Sequence, residues 1–488
     1  MDYGQFLVYA SMAGLTPGGG GGGGGNPGTN VGPTASGGDD HTALQAFFDT
    51  IVGNPSQGGI LPAGHFKISQ PILIGKTTAD VVTGLNFAGA TRGGTIIEQT
   101  TDGQPIFKFT GEFIHTNTFE NLTLTYTNPQ TVEGGSVIEV DGDPGTSFYN
   151  NRFINITANE HYWFCNSTAN VSWWGNLYDS MWLGQFGGGV NNIQGANGEP
   201  RNSMKNLYIT GERAAQPLFN HNACTCVYDN IEINNLANGV GIIHDEGGGT
   251  HIISHMALEI AHFSANVNLF DIVNSRLFAD FIYLHTMSID EGVTVTGFNS
   301  QNGTSTAQVE CLDLTYDTND GQFIVLNSVG PTKSRFGDIS GLSVGAVGST
   351  LCDIGASGTA DWVSVDRWED QSRVQFLADA DDGTTLPFDA PYHQVVQTQL
   401  SGSHVIKLPY SNPDFENQMY TGRRFRFTMA VQQTTGGAEF HIQDAFGNPV
   451  VDAHGDPSGV AIGSPSWIEV MWTRENGEVW NVIGQSLI

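Results

Sequence analysis

The chain has few positively charged residues. Lysine and arginine number 18 against 49 aspartate and glutamate residues, so the formal net charge is −31, yet charged residues make up only 14% of the chain. The acidity therefore comes from missing cations rather than from an excess of acids. Nucleic acids and anionic membranes are bound through basic patches, so neither is an expected partner.

Long apolar runs and cysteines are also scarce. No stretch reaches the roughly 18 apolar residues of a membrane span, so membrane insertion is not expected, and the first residues lack the basic segment of a signal peptide. The five cysteines are scattered, which favours reduced thiols in a protein folded in a reducing cytosol. Cys224-Thr225-Cys226 puts two thiols on one face of a strand, but no CxxC or Cys/His zinc spacing occurs. No metal or other cofactor is predicted.

Glycine, by contrast, is abundant, at 64 of 488 residues. Part of it forms an unbroken run from Gly18 to Gly25, which is typical of a flexible linker. We therefore predict a leader at 1–16 and a glycine-rich linker at 17–36. A leader on a tether is typical of a docking peptide, and a frayed terminus without a role is the alternative.

Helical periodicity is found from Thr42 to Val52, and no convincing second helix follows before about residue 378. The chain there repeats short β-branched segments in which an asparagine precedes alternating apolar residues, as in Asn121-Leu122-Thr123-Leu124 and Asn206-Leu207-Tyr208-Ile209. Repeats spaced by roughly 20 to 30 residues predict a solenoid, here a parallel β-helix with asparagines stacked in ladders at its corners. A β-sandwich or propeller with irregular strands is the alternative.

Two motifs at the start of this region resemble a known superfamily. They are Asp39-Asp40-His41-Thr42-Ala43-Leu44-Gln45-Ala46 and Gly58-Gly59-Ile60-Leu61-Pro62-Ala63-Gly64-His65-Phe66. They resemble the capping helix and first coil of the pectate-lyase-like right-handed parallel β-helix superfamily. That superfamily includes polysaccharide lyases and hydrolases, epimerases, and bacteriophage tailspikes and tail fibres. The resemblance implies a right-handed parallel β-helix over 37–378 and is much less specific for the chemistry.

The pattern changes after residue 378. A linker at 379–390 precedes alternating strands joined by turns such as Gly447-Asn448-Pro449 and Glu475-Asn476-Gly477. We predict an antiparallel β-sandwich at 391–488. It resembles the small C-terminal β domain of phage tail appendages, which implies a role in trimerisation or glycan binding and hence a homotrimer.

Together, the leader, the β-helix and the C-terminal domain resemble a phage tailspike or tail fibre that recognises host surface polysaccharide. This resemblance implies assembly in the host cytoplasm, a place in the virion tail, and attachment to the tail or an adaptor protein through residues 1–36. The chain departs from the best-known members because no folded head-binding domain precedes the β-helix. A free polysaccharide-degrading glycosidase or lyase and a non-catalytic virion appendage are the alternatives, and whether the glycan is cleaved stays open.

The stretch 214–332 is especially poor in cations. It holds thirteen acids and one cation, Arg276. Such a face repels polyanions, so the bound polysaccharide is expected not to be strongly anionic. A lyase acting on uronates needs cations or calcium to hold its substrate, and its activity is therefore disfavoured.

Glycoside hydrolysis requires two carboxyl groups roughly 5 to 9.5 Å apart. The candidate catalytic acids are Asp179, Asp245, Glu246, Glu259, Asp290 and Glu291. Asp245-Glu246 and Asp290-Glu291 lie 45 residues apart, which we interpret as two coils and about 10 Å on one face, with Glu259 on the coil between. The alternative is that they are solvated turn residues.

Three histidines accompany the first acidic pair. His244, His251 and His255, with Asp245 and Glu246, have a pattern that a metal cluster can also show. Three imidazoles do not make a zinc site without the matching geometry, so histidines that are stacked in ladders or exposed are the favoured interpretation.

Aromatic residues are concentrated between Tyr162 and Phe186, where four of the nine tryptophans lie. Only a few of them can point into a coil, so several are expected at the surface, where ring faces stack on sugars. The candidate glycan-binding residues are Trp163, Trp173, Trp174, Trp182 and Tyr178. A trimer interface is the alternative, and the two can coincide.

Overall fold

The computed structural model describes residues 30–52, 58–167, 171–194, 201–301 and 305–318, and, between 321 and 486, the strands given below with a few residues beside them. The leader at 1–16 and the linker up to residue 29 lie outside the described residues. Within the predicted linker, Asn30–Val31 form strand β1, which pairs in parallel with β2 (Gly59–Leu61). Regular structure therefore begins inside the predicted linker, because the edge of β2 offers backbone groups to one more strand.

The predicted helix is observed as α1 (His41–Val52). Its buried residues are Leu44, Phe47, Phe48 and Ile51, one apolar stripe with helical spacing. The ring of Phe48 packs on Phe87 at 4.6 Å. No helix in the described part of the chain is long and apolar enough to cross a membrane. The capping role of α1 stays a prediction.

The predicted parallel β-helix is confirmed as a right-handed parallel β-solenoid of about ten coils. Two long sheets run along its length and a third, of four strands, covers only its first part, and all their strand pairs are parallel. The first sheet contains β1, β2, β3 (Gly64–Ile68), β6 (Asn86–Gly89), β7 (Thr95–Gln99), β10 (Thr118–Tyr126), β13 (Arg152–Asn159), β16 (Leu177–Gly184), β18 (Asn202–Thr210), β20 (Cys226–Asn234), β22 (Thr250–Leu258), β23 (Ala261–Phe263), β25 (Arg276–Ile289), β27 (Thr306–Thr318), β29 (Lys333–Ser340) and β31 (Trp362–Trp368).

The other two sheets are built from shorter strands. The second sheet contains β4 (Ile72–Ile74), β8 (Phe107–Thr110), β11 (Ile138–Asp141), β14 (Trp163–Ser167), β17 (Gly189–Ile193), β19 (Phe219–His221), β21 (Ile243–Asp245), β24 (Val267–Val273), β26 (Thr294–Gln301), β28 (Gln322–Val329) and β30 (Thr350–Ile354). The third sheet contains β5 (Val81–Thr83), β9 (Phe113–His115), β12 (Ser147–Tyr149) and β15 (Ser172–Trp174).

A buried asparagine ladder links four successive coils. Asn117, Asn151, Asn176 and Asn202 are at most 1% exposed, and each side-chain Nδ2 donates to Oδ1 of the next asparagine, at 2.9, 3.1 and 3.0 Å. The same oxygens accept backbone N–H groups, such as that of Asn117 at Asn151. The ladder thus satisfies corner backbone groups that would otherwise be buried without partners.

The asparagines of the sequence repeat form a second, more exposed ladder. Asn121, Asn155, Asn206 and Asn230 have φ between 51° and 59°, a left-handed conformation that asparagine tolerates better than most residues. Asn155 donates to Asn121 at 2.7 Å, and Asn230 donates to Asn206 at 3.0 Å. Each asparagine lies at a bend inside a first-sheet strand. Side chains alternate between pointing inward and outward along the strand, and this alternation shifts by one residue at the bend. The predicted stacking of asparagines is therefore confirmed, in two ladders.

The described strands of the C-terminal region form two further sheets. One contains β32 (Val374–Leu377), β33 (His393–Val396), β35 (Arg424–Met429), β38 (Ser466–Thr473) and β39 (Val479–Ser486), and the other β34 (His404–Lys407), β36 (Glu439–Gln443) and β37 (Gly459–Ala461). The expectation of purely antiparallel strands is wrong, since β32, β33 and β35 pair in parallel, as do β34 and β36. From β33 to β36 the chain alternates between the two sheets, so β35 and β36 run in the same direction as β33 and β34. The sandwich packing, the domain boundaries and the trimer stay predictions.

Candidate functional site

The parallel register aligns outward side chains in rows along the first sheet. Trp182 on β16, Tyr208 on β18 and Glu232 on β20 occupy equivalent positions on successive strands. Adjacent strands lie about 4.8 Å apart, so the three side chains form one continuous strip. Trp182 is 37% exposed, and its ring meets that of Tyr208 edge-on at 5.4 Å. Two aromatic rings are thus followed directly by a carboxyl group.

A second carboxyl group adjoins the end of this strip. Glu259 follows β22, and its backbone N–H donates to the carbonyl of Ile233 at 2.9 Å. The register pairs Glu232 with Ala257, so Glu259 lies two residues further along the next coil, near enough for its charge to act on Glu232. Burial raises the pKa of the half-buried Glu232, and the charge of Glu259 raises it further. Two neighbouring carboxyl groups, one of them with a raised pKa, are the pairing that acid-catalysed glycoside cleavage uses. We call Trp182, Tyr208, Glu232 and Glu259 the aromatic–acid row.

The structure does not bring the two predicted acidic turns together. Asp245 ends β21 in the second sheet, whereas Asp290 follows β25 in the first sheet, where it contacts His262 at 2.9 Å. Their expected equivalence is therefore wrong. Asp245 pairs with Ile272 in the next coil, and Ile272 pairs with Ser300 in the coil after that. The residue two coils from Asp245 is therefore 55 positions further along the chain, whereas Asp290 is 45 positions further.

The remaining candidate acids lie apart from one another. Asp179 accepts hydrogen bonds from Ser180 at 3.0 Å and Asn206 at 2.9 Å, as part of the exposed ladder. Glu246 is exposed beside His244, and Glu291 is exposed after Asp290. Among the predicted acids, Glu259 alone joins the aromatic–acid row.

Three of the predicted glycan-binding aromatics lie inside the solenoid. Trp163, Trp173 and Tyr178 are at most 2% exposed, so they offer no ring face to a polymer at the surface of this chain. Trp174 faces outward on the third sheet and stacks on Tyr149 at 4.1 Å. It therefore lies on a different sheet from Trp182. Composition alone could not sort these side chains, because burial depends on each residue's position relative to the bend.

Tyr208 and Glu232 were missed, although the sequence contains a signal for them. Each follows a left-handed asparagine by two residues, as in Asn206-Leu207-Tyr208 and Asn230-Ile231-Glu232, and Trp182 follows the left-handed Ser180 by the same step. Aligning the repeat on that bend predicts that all three share one outward row.

A buried polar cluster lies at the corner where the second sheet leads into the first. Asp245 accepts hydrogen bonds from His251 at 2.9 Å and from the N–H groups of Ala223 and Gly247, both at 2.9 Å. Burial opposes its ionisation, but these donors, His251 foremost, lower the pKa of Asp245 to about 2. The carboxylate is fully enclosed, so it stabilises the corner rather than meeting a polysaccharide.

Two thiols and an imidazole belong to the same corner. The Sγ atoms of Cys224 and Cys226 are 3.2 Å apart, and Nδ1 of His221 is 3.9 Å from the Sγ atom of Cys226. Burial opposes ionisation of both thiols, but Cys224 and His221 favour a thiolate at Cys226, so the pKa of Cys226 is lowered and that of Cys224 is raised. These three residues have the donor atoms to hold a metal ion.

The histidines singled out in the sequence do not converge. His251 points into the corner towards Asp245, His255 stacks on Phe281 at 5.6 Å, and His244 on the second sheet contacts Asp271 at 2.9 Å. The favoured interpretation, histidines that are stacked or exposed, fits all three: His255 stacks on Phe281, the buried His251 stacks on His221 at 6.0 Å, and His244 is partly exposed.

No protein family model matches this chain, and no curated protein sequence matches it. Similar solved structures include the catalytic unit of a GH87 α-1,3-glucanase from Streptomyces thermodiastaticus, 12% identical with a TM-score of 0.34 over 71% of this chain and 70% of that one. The tailspike of Acinetobacter phage vB_ApiP_P1 is 10% identical, with a TM-score of 0.33 over 94% of this chain and 79% of that one. The A-module of an Azotobacter vinelandii mannuronan C-5 epimerase is 16% identical, with a TM-score of 0.35 over 68% and 95%. At these values the similarity gives no argument for a shared activity.

Proposed function

We propose that this chain is a bacteriophage tailspike or tail fibre whose solenoid recognises a bacterial surface polysaccharide through the aromatic–acid row. The observation that carries the proposal is the alignment of Trp182, Tyr208 and Glu232 on successive strands, with Glu259 beside the last of them. Assignment to a virion tail rests on the sequence organisation, a tethered leader before a β-helix and a C-terminal β region.

The row has the features of a sugar-binding strip. Exposed aromatic faces pack on the apolar faces of sugar rings, and neighbouring polar groups bind the hydroxyls. Asn234 lies beside the row and donates to the hydroxyl of Tyr208 at 3.4 Å, which leaves its amide oxygen near the same surface. The strip follows the solenoid axis, so it suits a polymer rather than a single sugar.

Charge narrows the class of polymer. Arg213, close to this part of the first sheet, is paired with Glu160 at 2.5 Å. The stretch 214–332 contains thirteen acids and one cation. An uncompensated acidic surface repels polyanions, so we infer a neutral or weakly charged glycan.

Cleavage of that glycan is part of the proposal. Glu232, whose pKa is raised by burial and by Glu259, acts as the acid and donates a proton to the glycosidic oxygen as the bond to the anomeric carbon breaks. The carboxylate of Glu259 acts on the opposite side, either by activating a water molecule or by attacking the anomeric carbon. In both cases water supplies the hydroxyl of the new reducing end, and the released proton returns to the carboxyl pair.

Two measurements test the proposal. Mass spectrometry of purified virions should detect the chain, and its absence there would refute the virion assignment. Incubation of the purified full-length chain with the host surface polysaccharide should produce new reducing ends. If binding occurs without new ends, recognition stands and the catalytic roles of Glu232 and Glu259 are rejected.

A further inference from the structure

The corner between β19 and β20 encloses an unusual set of soft donor atoms. His221 is the last residue of β19, Cys226 is the first of β20, and Cys224 lies between them. All three are at most 1% exposed, and their donor atoms lie within 4.8 Å of one another. Neither cysteine forms a disulfide. The three residues occupy only six positions of the chain, so one tight corner delivers all of them.

We propose that His221, Cys224 and Cys226 bind a thiophilic metal ion, of which zinc(II) is the reference case. Zinc lies about 2.3 Å from sulfur and 2.0–2.1 Å from nitrogen in a tetrahedral site, which puts two sulfurs about 3.8 Å apart and a sulfur and a nitrogen about 3.5 Å apart. The observed separation of the sulfurs, 3.2 Å, is shorter than this, and the 3.9 Å between Cys226 Sγ and His221 Nδ1 is longer. Shifts of about 0.4 to 0.6 Å would bring the three donor atoms to the spacing of three of the four tetrahedral positions.

The electrostatics of the corner favour a bound cation. Apart from Asp245 and His251, which pair with each other, the core beside the corner is apolar, with Phe219 and Tyr228 packed against each other at 5.0 Å, so thiolates without a counter-charge there would be strongly destabilising. Two thiolates and a neutral imidazole balance the charge of a divalent ion. Thiolate ligands also select soft ions such as zinc and copper(I) over magnesium or calcium.

His221 supplies an independent indication. Its Nε2 has no hydrogen-bond partner among the described residues, and its Nδ1 has only the long sulfur contact. Buried imidazoles usually satisfy both nitrogens. A metal ion bound at Nδ1 would replace this long sulfur contact with a ligand bond, while Nε2 would keep no partner among the described residues.

The neighbours are arranged as an outer layer around such a site. Asn202 Nδ2 lies 3.6 Å from Cys224 Sγ, and Asp245 accepts the backbone N–H of Cys224 at 3.3 Å. Groups of this kind orient ligands and support their charge. Asn202 is also the last asparagine of the buried ladder, and Cys226 takes the equivalent position in the next coil. The metal ion would thus tie the end of β19 to the start of β20 at the corner where the amide ladder stops, as a structural site with no access for substrate.

Metal content of the full-length chain is the first test. Protein expressed in zinc-supplemented medium should contain about one zinc per chain by elemental analysis, and Cys226→Ser should reduce this to background. Cys165→Ser is the matched control, since Cys165 is equally buried but contacts Tyr178 instead. Copper is measured in the same samples, so that the bound ion is identified. Zinc retained by Cys226→Ser, or lost equally in Cys165→Ser, would overturn the assignment.

A second test needs no variant to fold. Wild-type protein refolded with cobalt(II) should show thiolate-to-cobalt charge-transfer absorption, which zinc in excess should abolish. Peptide mapping without reduction should recover Cys224 and Cys226 as thiols. A metal-free chain with both thiols reduced, or one in which the two form a disulfide, would refute the metal site.

Discussion

Replacing Asn176 with alanine should weaken the solenoid by several kcal/mol. Its side chain lies in the middle of the buried ladder and makes four hydrogen bonds. Nδ2 donates to the Phe148 carbonyl and to Asn202 Oδ1, both at 3.0 Å, and Oδ1 accepts the backbone N–H of Asn151 at 3.0 Å and its Nδ2 at 3.1 Å. All four hydrogen bonds are buried, so bulk water cannot replace Asn176 as a partner for the groups that lose it in the alanine variant.

The size of the effect follows from the groups left behind. In the alanine variant, Asn202 Oδ1 still accepts the backbone N–H of residue 176, and Asn151 Nδ2 still donates to the Ile114 carbonyl. The Asn151 N–H and the Phe148 carbonyl lose the partner that Asn176 supplies. A buried polar group left without its partner costs about 1–3 kcal/mol, so the two together predict a loss of about 2 to 6 kcal/mol.

Urea unfolding of the full-length chain, followed by tryptophan fluorescence, measures this loss. The matched control is Asn206→Gly, which removes an exposed ladder amide while glycine keeps the left-handed backbone of that position. Its expected cost is below about 1 kcal/mol, as for other surface changes. If Asn176→Ala costs no more than Asn206→Gly, the buried amide ladder does not stabilise the fold and the reasoning is refuted.

Three further predictions concern the aromatic–acid row. Trp182→Ala should weaken glycan binding measured by calorimetry by about 2 kcal/mol or roughly thirtyfold, whereas Trp174→Ala, on the third sheet, should leave it unchanged; equal losses would contradict the assignment. Glu232→Gln should abolish the release of reducing ends while preserving binding, and residual cleavage would mean that another group is the acid. Folding raises the pKa of Glu232, so the folded state favours the neutral carboxyl group and the ionised form lowers the free energy of unfolding. The stabilisation by the neutral form is fully present below the ordinary glutamate pKa of 4.5 and is lost as the pH rises through the folded-state pKa. Glu232→Gln should therefore raise the melting temperature at pH 7 but not below pH 4.5, and an effect of the opposite sign would show that Glu232 is ionised without penalty.

The fold was predictable because its signals are local. The repeat Asn206-Leu207-Tyr208-Ile209 combines an asparagine suited to a left-handed bend with alternating apolar residues, and each coil restates that combination. Alternation and bend are properties of a few consecutive residues, so one sequence reveals them. The mixed C-terminal sheets were not predictable in the same way, since the direction of a strand pair depends on the path of the chain between sheets.

The site was less predictable because it depends on register between coils. Asp245 and Asp290 have similar turns, but β25 continues for 14 residues before Asp290, so sequence distance does not count coils there. The donors His221, Cys224 and Cys226 match no zinc spacing, and only the corner brings them together. Separation along the chain measures distance in a solenoid only when every coil has the same length.

The left-handed bend in the first-sheet strands links the buried ladder to the exposed aromatic–acid row. In four first-sheet strands, the inward corner residue precedes the outward row residue by six positions: Asn151 and Thr157, Asn176 and Trp182, Asn202 and Tyr208, Cys226 and Glu232. Six steps of strict alternation would leave both on the same side, but the left-handed residue at the fourth step inverts the alternation. The ladder therefore holds neighbouring coils in register, and the bend makes the aligned residues that follow it point outward. A slip of one residue in the coil of Asn176 and Trp182, or in that of Asn202 and Tyr208, would break a buried amide bond and remove one side chain from the aromatic–acid row, so in these coils the ladder and the binding strip depend on the same register.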